Sequence, residues 1–133
     1  MQESTFEMAS KFFGDLNHFV EGQKELKRID KVIQFQVRDD QSFWLDIRNG
    51  NLTLNKGMAP SDQVGVTFSP DRETLVQLFQ RKLRYVDVVP FMGSPSAARM
   101  PITPFVARRG ILASWVGKLI RIAQGLPKVG TSI

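Results

Sequence analysis

The chain has no cysteine. Disulfide staples, thiolate nucleophiles and cysteine-ligated metals are thereby excluded. Its 133 residues are enough to bury a core without staples. No run of about 18 uncharged apolar residues occurs, so no membrane-spanning helix is expected. The stretch Met1–Ser10 holds two acids and neither an early basic cluster nor a long apolar segment, which is not the pattern of a secretory signal. The expectation is a cytoplasmic protein. Carboxylates are missing from the last third. Residues 1–87 carry 12 basic and 13 acidic residues, whereas residues 88–133 carry six basic residues and no acid. Such asymmetry points the C-terminal segment at something acidic: lipid head groups, nucleic acid or an acidic protein.

Histidine and tyrosine occur once each, against ten phenylalanines. Phe brings bulk without a polar handle, which suits an apolar core or an apolar cavity wall. Ser4 and Glu7 have capping-box spacing, and Phe6, Ala9, Phe12, Phe13, Leu16, Phe19 and Val20 recur at three and four. The spacing predicts a helix over 4–20, followed by a polar connector over 21–31. Period-two alternation then predicts four strands. Ile33, Phe35 and Val37 mark the first, Phe43, Leu45 and Ile47 the second, Leu52 and Leu54 the third, and Val64, Val66 and Phe68 the fourth. Asn49-Gly50 is a hairpin signal. The simplest topology is an antiparallel meander with its apolar face covered by helices. Ser69-Pro70 opens a second helix to Leu83, with Leu75, Leu78, Phe79 and Leu83 as its apolar stripe. Gly93 to Pro104 holds three prolines and suits neither a central strand nor a helix. A last helix runs to about Gln124, with Leu112, Trp115, Val116, Leu119 and Ile120 on one half and Lys118 and Arg121 on the other. The tail 125–133 is expected to fray.

No catalytic constellation emerges. His18 stands alone in a helix. There is no nucleophile elbow, phosphate-cradling loop or metal-ligand pattern. Asp39-Asp40 falls where a turn is expected, and Asp46 alternates outward. Neither enzymatic activity, cofactor nor metal is expected. Nucleic-acid binding is not expected either, because Phe105 and Trp115 fall on the apolar side of the last helix and no recognition motif accompanies them. That amphipathic helix has several readings: it packs on the sheet, lines a ligand cavity, lies on a membrane, or buries against a partner.

Over Ile33 to Gly93 the chain resembles the sterol carrier protein 2 (SCP2) lipid-binding domain. Phe35-Gln36-Val37 is similar to the family's first strand. Phe43 to Gly50 is similar to its second strand, an aromatic-led run ending in an Asp-x-x-Asn-Gly hairpin. Val66-Thr67-Phe68-Ser69 resembles the strand before its acid-rich helix. Leu75 to Leu83 resembles the helix that ends in a Gly-Lys-hydrophobic turn, with Arg81 here at the glycine. Pro90-Phe91-Met92-Gly93 resembles the following Phe-x-x-Gly. Beyond it the family continues with a Lys-led fifth strand, where this chain has Ser94 to Pro101.

The resemblance implies an α+β fold: an antiparallel sheet of four or five strands with helices covering one face. The chain is then a single domain, 1–133, with 94–133 a divergent basic amphipathic segment. It also implies non-enzymatic binding of a hydrophobic lipid (sterol, fatty acyl or isoprenoid) in an apolar cavity between sheet and helices. On that reading Phe35, Leu45, Val66 and Phe68 form the floor, and Leu75, Leu78 and Phe79 one wall. Phe91 and Met92 stand at a rim, and Phe105, Leu112, Trp115 and Leu119 form the lid. Arg108, Arg109, Lys118 and Arg121 are the candidates for head-group or anionic membrane contact. The alternative is an accessory subunit that binds a protein partner, or a second copy of itself, through the last helix.

Overall fold

The computed structural model describes residues 4–88, 100, 102, 103 and 107–125, with the backbone alone at 86, 102, 103 and 107–114. Helix α1 spans Thr5–Gly14. Its start follows from the sequence: the Ser4 hydroxyl accepts the Glu7 amide at 3.1 Å. A 3-10 turn, Asp15–His18, separates it from α2, Val20–Ile29. The expected single helix is thus two, and the expected polar connector is mostly helix. Only Leu26 and Ile29 are large apolar residues on the buried stripe of α2; Gly22 and Glu25 complete it. A stripe with a glycine and a glutamate on it gives no apolar periodicity to read.

Among the described residues five strands follow: β1 Val32–Phe35, β2 Phe43–Arg48, β3 Asn51–Lys56, β4 Val64–Phe68 and β5 Ile102–Thr103. Their order in the sheet is β3-β2-β1-β4-β5. The α+β class holds, but the sheet is mixed rather than antiparallel throughout, and it is not a meander. β4 lies beside β1 and parallel to it, with Phe35 opposite Phe68. Alternation tells which face a strand buries, not which strand it neighbours. The β2–β3 hairpin serves as the long crossover a parallel pair needs. The chain then returns across the sheet face opposite Phe35, where the Ala59 amide donates to Gln34 Oε1 at 2.8 Å.

Helix α3, Arg72–Phe79, is capped by Asp71, whose carboxylate accepts the Thr74 amide at 2.9 Å; Ser69 is not the cap. It stops four residues short of Leu83, because Arg81 adopts a left-handed backbone with φ 66°. Helix α4 spans Ala107–Gly125. Among the described residues the helices pack on the sheet or on one another, and a buried cluster joins them. Asn17 fastens the β3 edge: its Nδ2 donates to the Leu52 carbonyl at 2.8 Å and its Oδ1 accepts the Leu52 amide at 2.9 Å. The 3-10 turn thereby satisfies backbone groups that an edge strand leaves open.

Candidate functional site

The helix-facing side of β1, β2 and β4 is apolar. Ile33, Phe35, Phe43, Leu45, Ile47, Val66 and Phe68 are all fully buried there. Phe35 is its centre. The ring stacks on Phe43 at 5.1 Å and on Phe68 at 5.3 Å, and Phe13 of α1 lies over it at 6.0 Å. Phe12 and Phe79 extend the aromatic layer, with centroids 4.9 Å apart.

Of the candidate floor and wall, Phe35, Leu45, Val66, Phe68, Leu75 and Leu78 are buried in one cluster, with Phe79 partly buried against it. In α4, Leu119 is fully buried and Trp115 packs on the cluster half-exposed. Phe91, Met92 and Phe105, and the side chains of Leu112, Arg108 and Arg109, lie outside the described residues. So do the rest of the 93–104 stretch, save Met100 and strand β5, and the tail beyond Gly125.

The second half of α4 is docked at three points. Lys118 Nζ pairs with Glu25 of α2 at 3.0 Å. Gln124 Nε2 donates to the carbonyls of Leu78 and Leu83, both at 2.9 Å. Gly117 lies against the ring of Tyr85. Burial pushes the Tyr85 phenol far above its ordinary pKa, so it stays neutral beside Phe68. Arg121 is exposed, next to the buried Ile120.

Other chemistry-bearing residues have structural duties. The adjacent carboxylates Asp39 and Asp40 serve two helix starts: Asp39 accepts the Arg72 amide at 2.6 Å and Asp40 accepts the Thr5 amide at 3.0 Å. Asp46 pairs with Arg48 at 2.8 Å. His18 is exposed at the end of its turn. Among the described residues no group of three or more His, Asp or Glu is placed to hold a metal. No helix there is long and apolar enough to cross a membrane. Two polar-rimmed grooves, of about 370 Å³ along Asp30, Asp46, Arg48 and Gln63 and about 580 Å³ along Gln36, Arg38, Met58 and Ser69, include none of the candidate lining residues.

The model of the SCP-2 sterol transfer family matches residues 14–87, more than half of the chain, and the chain belongs to that family. Solved structures share the fold. Sterol carrier protein 2 from Yarrowia lipolytica, in its apo form, aligns with a TM-score of 0.61 at 16% identity, over 91% of this chain and 90% of that one. The sterol carrier protein domain 2 of Helicoverpa armigera aligns with a TM-score of 0.60 at 19% identity, over 95% and 93%. A UbiJ-SCP2 ubiquinone synthesis protein aligns with a TM-score of 0.57 at 13% identity, over 89% and 86%. No curated protein matches the sequence.

Proposed function

We propose that this protein binds and carries a hydrophobic lipid of sterol, fatty acyl or isoprenoid type, without altering it, in apolar space between the sheet and its helices. The observation that carries the reading is the family match over 14–87, the segment that supplies β1 to β4 and α3 with their buried apolar side chains. Burying a hydrocarbon there gains roughly 0.8 kcal/mol per CH₂ and needs few polar groups. Arg121, exposed on α4, supports contact with anionic membrane surfaces during exchange; Lys118, paired with Glu25, adds little net charge there.

The direct test is native mass spectrometry of the purified protein, followed by organic extraction and lipid analysis. A stoichiometric co-purifying lipid is expected, and its identity would name the chemical class. Isoprenoid quinones belong in the uptake panel because one structural neighbour is a ubiquinone synthesis protein. A clean apo mass, with no uptake of fatty acids, sterols or quinones, would overturn carriage in favour of an accessory subunit. Arg121→Glu should weaken sedimentation with anionic vesicles by several-fold; unchanged sedimentation would remove the membrane part of the reading.

A further inference from the structure

We infer that Glu25 recognises the hydroxyl group of a neutral lipid alcohol at the seam between α2 and α4. The inference rests on the lipid-binding reading and adds the polar end of the ligand to it. Glu25 occupies the buried stripe of α2, between Gly22 and Leu26, and is 5% exposed. Its carboxylate is asymmetric in its partners. Oε1 meets Lys118 Nζ at 3.0 Å, and that lysine side chain is 42% exposed. Oε2 is buried and has no hydrogen-bond partner among the described residues.

A buried, unsatisfied carboxylate oxygen is costly, and native proteins rarely leave one. Structure alone does not require it here. The rest of the stripe is apolar or glycine, α4 packs on α2 with buried Val116, Leu119 and Ile120, and a well-packed apolar pair usually matches or exceeds a buried ion pair in stability. What Glu25 supplies that leucine would not is a buried acceptor. Lys118 already balances its charge, so the fitting donor is neutral. A hydroxyl on an apolar skeleton meets that need; a second carboxylate would be repelled by Oε2.

The test compares two probes that differ in the donor. Displacement of the neutral polyene 1,6-diphenyl-1,3,5-hexatriene would be measured for 1-tetradecanol and for its methyl ether, with the full chain. Wild type should prefer the alcohol by roughly tenfold, the value of a hydrogen bond to a charged group. Glu25→Leu should abolish that preference and leave ether affinity unchanged. Glu25→Gln, which keeps a neutral acceptor and the shape of the side chain, should reduce it several-fold. Equal binding of alcohol and ether by wild type overturns the inference while carriage stands, as does a preference that either variant leaves intact. Binding of neither probe overturns the inference as well, while carriage itself is decided by the co-purification and uptake test above.

Discussion

Gly117 of α4 lies so close to Tyr85 that a Cβ placed on it would come within 2.5 Å of ring carbon Cδ2 and 2.6 Å of Cε2. The ring is buried and meets Phe68 edge-on at 6.0 Å, so moving it disturbs the core. Gly117→Ala should therefore destabilise the fold. Overpacking of this kind costs about 1–3 kcal/mol, and the better helix propensity of alanine returns about 1 kcal/mol. Urea midpoints in wild-type and Tyr85→Ala backgrounds separate the two terms. Expected is a loss in the first background and a gain in the second; equal changes in both would show that the Tyr85 contact is not the cause.

Gly22 gives a sharper version of the same argument. A Cβ there would sit 2.4 Å from the Leu16 carbonyl oxygen and 2.9 Å from its Cα. Those are backbone atoms of the preceding turn, and relief requires moving α2 away from it. Gly22→Ala should cost at least about 1–3 kcal/mol. Gly14→Ala is the control, since nothing lies within 4 Å of its Cβ position and its backbone is right-handed at φ −60°. It should be neutral, or stabilising by up to about 1 kcal/mol. Thermal or urea unfolding of the two variants checks the contrast.

Arg81 stands where the family resemblance places a glycine, and its backbone explains the preference. With φ 66° it turns the chain out of α3, its amide donating to the Leu78 carbonyl at 3.1 Å. A left-handed non-glycine residue costs about 1–2 kcal/mol, whereas glycine loses more chain entropy on folding by about 0.5–1 kcal/mol. Arg81→Gly should thus raise stability by up to about 1 kcal/mol. A lower urea midpoint would mean that side-chain contacts of Arg81 outweigh the backbone strain.

Legibility in the sequence followed how local each determinant is. β2 runs over Phe43–Arg48 as its alternation reads, and Asn49 and Gly50 both have the positive φ, 55° and 76°, that their hairpin turn demands. The inner face of the sheet and the stripe of α3 were equally legible, because one apolar face is all that either needs. What failed were relations between distant segments. Nothing local to Val64–Phe68 says that it will lie parallel to β1. Ser69 reads as a cap as well as Asp71 does until the hydrogen bond decides. α2 is hidden because half of its buried stripe is a glycine against Leu16 and a glutamate against Lys118, residue types that a search for apolar periodicity passes over. Within the candidate site the floor and wall positions share one cluster, yet core packing and ligand lining call for the same side chains, so the residues alone do not divide the two duties.

Asp40 makes the fold sensitive to acid, and the sign can be worked out. Burial alone works against its charge. The amides of Gln41 at 2.7 Å and Thr5 at 3.0 Å, together with Arg72, outweigh that and hold its carboxyl below the ordinary 3.8. A depressed folded-state pKa contributes stability that is complete above the unfolded value and is lost as the pH falls through the folded one. The contribution should therefore be constant near neutrality and disappear below about pH 4. Asp40→Asn, which cannot carry the charge, should cost roughly 1–3 kcal/mol at pH 7 through the weakened ties to Thr5 and Arg72. Urea unfolding of both proteins from pH 7 to about pH 2.5 cancels the carboxylates they share. Their stabilities should converge in acid. A gap that keeps its size across the range would show that shape, not the charge that holds α1, the β1–β2 turn and α3 together, is what Asp40 contributes.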